Sequence, residues 1–155
     1  MANVPLLLGA GPAYVIDGRY DVLSHNPPVF DPFPGLAATG DPPNLARWTF
    51  LAPEARRAVV DREVEARGLL ARLRSIAAKH EGDPRFESLV DELREGCPEV
   101  RRWWRHYDVE PRHGGRKRPR GPDGEIIDYA YAVFHVAERP EQTLVVYATS
   151  GDAGV

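Results

Sequence analysis

Apolar residues recur along this chain at two different periods, and the period changes twice. Residues 13 to 24, Ala-Tyr-Val-Ile-Asp-Gly-Arg-Tyr-Asp-Val-Leu-Ser, are two short β-rich runs around Asp17-Gly18, a pair suited to a tight turn with positive φ. From Asn44 to about Tyr107 the apolar positions return every three or four residues, as on a helix face. Beyond Pro111 the strand period resumes and holds to Thr149. Strands at both ends and helices between predict an α+β domain. Its sheet is antiparallel, of about five strands drawn from both chain ends, with helices packed on one face.

Punctuation divides the middle into separate helices. Prolines clustered over residues 27 to 43 forbid a long helix there and leave room for single turns near Val29–Phe30 and Leu36–Ala38. Asn44 is placed to cap a helix carrying Leu45, Trp48 and Leu51 or Ala52 on one side, and Pro53 to begin the next. One helix is then expected from Glu54 to Lys79, with Leu69, Leu70, Leu73, Ile76 and Ala77 as its buried stripe. Asp83-Pro84 opens another, with Phe86, Leu89, Val90 and Leu93 inside and Gly96 as its stop. Pro98 starts the last, with Val100, Trp103, Trp104 and Tyr107 at i, i+3, i+4 and i+7. Arg116–Arg120 reads as a polar strand, Gly121–Gly124 as a turn, Ile126–Val136 as a strand, Glu138–Gln142 as a turn containing Pro140, and Thr143–Thr149 as a central strand. Alternation over 126–136 puts Tyr129 and Tyr131 on one face and Ala130, Ala132 and Phe134 on the other, without saying which is buried.

At 155 residues the chain can bury a core without disulfides or metal. Its net charge of −3 gives no reason for the whole surface to seek nucleic acid or anionic membrane. A lone cysteine, Cys97, excludes an internal disulfide and suits a reducing compartment; at a helix start it reads as a structural residue. The run Val4–Leu8 is too short to span a bilayer and lacks the basic start of a secretory signal. The cytoplasm is the expected location.

Catalytic chemistry finds little support. The five histidines are scattered, with no His-x-x-x-His spacing, so no metal site is expected. Cys97 has no adjacent base, and Asp17, Asp21 and Asp128 suit turns and strand edges. The basic run Arg112–Arg120 reads as a solvated loop and edge strand, with contact to nucleic acid or an acidic partner as the alternative. All three tryptophans, by contrast, lie in two helical segments, where they form one wall of a core or a pocket.

The pieces Ala13-Tyr-Val-Ile-Asp-Gly-Arg-Tyr-Asp-Val-Leu, Asn26-Pro, Asn44-Leu-Ala-Arg-Trp-Thr-Phe-Leu-Ala-Pro-Glu-Ala-Arg56, Leu89-Val-Asp-Glu-Leu93, Pro98-Glu-Val-Arg-Arg and Leu144-Val-Val-Tyr147, in this order and spacing, resemble the MmyB-like transcription-regulator ligand-binding domain. The resemblance runs from about residue 12 to 150. It implies a PAS-like sensor domain over 13–150, with a leader at 1–12 and a tail at 151–155. Such domains usually follow a helix-turn-helix DNA-binding domain of the XRE type, mostly in actinobacteria. Twelve residues cannot hold that domain, so DNA contact is expected only through a part missing here, the chain being an excised domain or a stand-alone relative. The resemblance also implies a small, largely apolar, fatty-acid-like ligand between sheet and helices, and no fixed catalytic residues. Where relatives often carry Trp, this chain has Arg62; where they often carry His, it has Tyr107.

These readings converge on a cytoplasmic ligand sensor of a transcriptional regulator, not an enzyme, with no cofactor and no membrane contact. The ligand is expected against Leu45, Trp48, Val100, Trp104 and Tyr107 on the helices and Tyr129 and Tyr131 on the sheet, with Arg47, Arg101 or Arg102 meeting an acidic head group. Each buried CH₂ contributes about 0.8 kcal/mol, so a ten-carbon chain reaches roughly micromolar affinity after association costs. A ligand-free dimerisation module, with Trp103 and the strand tyrosines at a homodimer interface, and a small enzyme of cup-like α+β fold are the alternatives.

Overall fold

A computed structural model describes residues 11–105 and 114–149. Five antiparallel strands form one sheet in the order β2-β1-β5-β4-β3. They are β1 (Ala13–Ile16), β2 (Val22–His25), β3 (Gly114–Lys117), β4 (Tyr129–Val136) and β5 (Arg139–Thr149). The two chain ends meet at its centre, where Tyr14 pairs with Val145. Five helices lie between: α1 (Leu45–Leu51), α2 (Pro53–Ala58), α3 (Arg62–Lys79), α4 (Pro84–Gly96) and α5 (Pro98–Trp103). The prolines of 27–43 leave two 3-10 turns, Pro27–Phe30 and Leu36–Thr39, where single turns were expected.

The β1–β2 hairpin forms, but its geometry differs from the Asp-Gly turn expected. Asp17 Oδ1 accepts from the Arg19 and Asp21 amides, both at 3.0 Å, and the left-handed residue is Tyr20, at φ 66°. The carboxylate replaces the missing ladder partners, so the loop runs longer and the strain falls on Tyr20. Asn44 caps α1 by accepting from the Arg47 amide at 2.9 Å, and Asp83 caps α4 through the Arg85 amide at 2.9 Å.

The single helix expected over 54–79 is two. Val59 is extended and bridges Pro119, while the Arg120 amide bonds the Ala58 carbonyl at 2.7 Å. Helical periodicity continues through this joint, so only a contact sixty residues away reveals it. Gly96 ends α4 without a left-handed conformation; its role is close approach, since a Cβ there would lie 2.5 Å from Leu51 Cδ2. The last helix stops at Trp103, and Tyr107 lies outside the described residues.

Strand β4 starts at Tyr129 rather than Ile126, which makes an isolated bridge to Arg120 across the Gly121–Gly124 turn. Pro140 belongs to β5, not to a turn. Strand β1 pairs with β5 only from Thr143 to Val146, so Pro140 faces an open edge and removes no ladder bond there. The question left open on β4 is settled: Tyr129, Tyr131 and Val133 join the core, while Ala130 and Phe134 face outward, Phe134 being 55% exposed. The core between this face and the helices is centred on Val29, Leu36, Trp48, Leu73, Leu93 and Val100. Among the described residues no helix is long and apolar enough to cross a membrane.

Candidate functional site

Between the sheet and the helices the core opens into a cavity of about 110 Å³. One wall is aromatic: Tyr14 from β1, Tyr147 from β5, Phe33 from the proline-rich segment and Trp48 from α1, with Leu45 beside it. Their rings meet edge to face, Phe33 with Trp48 at 5.1 Å and 89°, and Tyr14 with Phe33 at 5.7 Å and 81°. Trp48 is 1% exposed and donates its indole N–H to the Pro34 carbonyl at 2.7 Å, which holds the proline-rich segment down as a side wall.

The opposite wall is polar. Helix α3 contributes Arg62, Glu65, Leu69 and Arg72, one stripe at helical spacing, and the end of β3 and the residues after it contribute Lys117, Arg118 and Pro119. Arg118 pairs with Asp61 at 3.1 Å and Lys117 with Glu65. Burial pulls the Lys117 ammonium from 10.5 down to about 8. Arg62 donates to Glu99 at 2.8 Å and to the Thr49 carbonyl at 3.3 Å, yet its Nε is buried with no partner among the described residues. Glu99, bonded also by Arg56 at 2.9 Å, is held below the usual carboxylate range, chiefly by Arg62. Arg72 Nε bonds the neutral Tyr20 hydroxyl at 3.0 Å.

At the floor, the Tyr14 and Tyr147 hydroxyls face each other at 3.5 Å, a weak contact that leaves hydrogen-bonding capacity unused. Burial pushes both phenols well above their usual range. Tyr147 is the hub, with the Tyr129 and Tyr131 rings at 5.5 and 5.9 Å.

The residues singled out from sequence fall into three groups. Leu45 and Trp48 line the cavity, and Tyr129 and Tyr131 stand behind Tyr147 without reaching it. Val100 is 0% exposed within the core, and Arg47 turns outward to Glu92 at 2.6 Å. Trp104 lines a separate open groove with Arg74, Phe86 and Val90, its carbonyl accepting from Arg74 at 2.5 Å, while Trp103 lies under Arg67 at 4.7 Å. The two tryptophan segments therefore do not share one wall. Arg101 bonds the Arg94 carbonyl at 2.7 Å on the surface. Cys97 is buried where α4 meets α5. Among the described residues no three His, Cys, Asp or Glu side chains gather as metal ligands.

Sequence reasoning missed Tyr14, Phe33, Arg72, Lys117 and Tyr147. The β1–β5 register puts Tyr14 and Tyr147 on one face, a signal present in the alternation once the buried face is known. Arg62 was marked only as a departure from its relatives.

A five-stranded antiparallel sheet of order 2-1-5-4-3, with helices on one side and a lined cavity beneath them, defines a PAS-like ligand-binding domain. The sequence pattern of the MmyB-like transcription regulator ligand binding domain matches residues 7–153, and the chain belongs to that family. A comparison with curated proteins found no match.

Proposed function

We propose that the domain is the sensing part of a transcriptional regulator and that its signal is a small, largely apolar molecule held beneath Trp48. The observation that carries this reading is the cavity between sheet and helices, with an aromatic wall and the weakly paired Tyr14 and Tyr147 hydroxyls in the same space. A fatty-acid-like ligand with a short chain suits the volume; a long chain requires α1 and α2 to move away from the sheet.

Occupancy acts on the joint between α2 and α3, where Arg118–Asp61 and Lys117–Glu65 tie the end of β3 and the residue after it to the helices. A ligand that binds one arrangement of this joint better than another shifts its population. The shift passes to a helix-turn-helix DNA-binding domain of the regulator, in the cytoplasm and without a catalytic step. The aromatic cavity wall supports a receptor over an enzyme.

Native mass spectrometry of the purified protein, with thermal shifts across acids of four to sixteen carbons, tests the reading. A ligand at a hundred times its Kd stabilises by about 2.7 kcal/mol, or roughly 5–10 °C in Tm. Absence of both a co-purified molecule and a shift with any apolar probe would refute it.

A further inference from the structure

Lys117 differs in kind from the other cations of the cavity wall. Of the twenty lysines and arginines in the chain only two are lysines, Lys79 and Lys117. The neighbouring ion pairs use arginine, Arg118 with Asp61 and Arg62 with Glu99. A guanidinium keeps its charge, whereas an ammonium can give up a proton and become a nucleophile. Register turns Lys117 inward, since it stands opposite Tyr129, whose side chain is buried in the core.

An inward charge on an edge strand can simply guard that edge. Here the side chain reaches further. Its Nζ lies 5.2 Å from the centre of the Tyr131 ring on β4 and against the Glu65 carboxylate of α3, and Lys117 and Glu65 both line the cavity. Their side chains are only 25% and 17% exposed. An amine, a carboxylate able to carry its proton and an aromatic wall therefore share one enclosed space.

We infer that Lys117 holds the ligand covalently, as an imine formed with a compact apolar aldehyde, and that Glu65 carries the proton. This rests on the cavity being the sensing site. Glu65 first takes a proton from the Lys117 ammonium. The freed amine attacks the carbonyl carbon, a C–N bond forms, and the carbonyl π pair moves to oxygen, which takes a proton from the nitrogen. Glu65 then returns its proton to that hydroxyl, the C–O bond breaks, water leaves, and the nitrogen lone pair closes a protonated C=N bond. The positive charge stays beside the Glu65 carboxylate throughout, so the ion pair survives capture, and addition of water releases the aldehyde again. Size favours a single ring or short chain: the space is about 110 Å³, and an engineered apolar cavity of about 150 Å³ holds benzene.

The test is reductive trapping of the full chain at pH 7 with benzaldehyde or octanal and cyanoborohydride, read by peptide mapping in a mass spectrometer. Lys79 is exposed and serves as the control within the same molecule. With its pKa drawn down to about 8, Lys117 is about one-tenth free amine at pH 7, against about one part in 2,500 for an ordinary lysine. Lys117 should therefore be labelled at least about ten-fold faster than Lys79 in the folded chain, and at an equal rate in urea. Toluene, which fills the cavity but cannot react, should slow the labelling of Lys117 and leave Lys79 unchanged. Lys117→Arg should lose the fast label while circular dichroism shows the fold retained. Equal rates at the two lysines of the folded chain overturn the inference, and so does a Lys117 preference that toluene leaves untouched. If toluene raises Tm while Lys117 shows no preference, capture fails and the cavity stands as a non-covalent receptor. Neither a toluene shift nor a labelling preference overturns the sensing site as well.

Discussion

Asn44 offers the sharpest test of how this fold is tied together. It is 1% exposed, and its amide does three things at once. Oδ1 caps α1 at the Arg47 amide, and Nδ2 donates to the Arg19 carbonyl and to Asp21 Oδ1, all at 2.9 Å. These bonds fasten the helix that carries Trp48 to the hairpin at the sheet edge. Asn44→Ala removes a cap of about 1 kcal/mol, a neutral bond of about 1 kcal/mol and a charge-assisted one of about 1.5–3 kcal/mol. Water re-solvates part of what is freed, so a net loss of about 3 kcal/mol is expected, or roughly 6–12 °C in Tm. Asn44→Asp is the decisive comparison. Aspartate caps a helix as well as asparagine does, but here it would lose both donors and set a second carboxylate against Asp21. Urea denaturation should show Asn44→Asp at least as damaging as Asn44→Ala. If Asn44→Asp costs less than about 1 kcal/mol, the residue is merely a cap, and the bridge from hairpin to helix carries no weight.

Three further outcomes follow from single contacts. Gly96→Ala should destabilise by about 1 kcal/mol in chemical denaturation, although alanine favours a helix, because the new Cβ meets Leu51 at 2.5 Å. Glu99 has its carboxyl held low by Arg62, so its folded-state pKa lies below the usual 4.5. The stability it contributes is present above about pH 4.5 and is lost as pH falls through the lower folded value, so the gap between the unsubstituted chain and Glu99→Gln should narrow steadily in denaturation curves from pH 5 to pH 3. Phe134→Ser, on the outward face of β4, should change stability by less than about 0.5 kcal/mol in a monomer, whereas a Tm that rises with concentration for the unsubstituted chain and not for the substituted one would mark that face as a homodimer contact.

Local chemistry determined much of this protein by itself. Asn44 and Asp83 cap their helices because short polar side chains reach the first free amides. The stripes Leu69–Leu70–Leu73 and Phe86–Leu89–Leu93 are buried because helical period leaves them no other face. The change of period at both ends was enough for a five-stranded sheet with helices on one side. Tertiary structure decided what depends on distant partners. The break after Ala58 needs Pro119 and Arg120, and the choice of β4 face needs Tyr147 beside Tyr129 and Tyr131. The cavity is of the same kind. Its aromatic wall joins residues 14, 33, 48 and 147, and its polar wall forms only where α3 meets the end of β3 and the residues after it. Sequence periodicity reports which face of an element is apolar, but a cavity is defined by where several faces fail to touch, and that is a property of their packing alone.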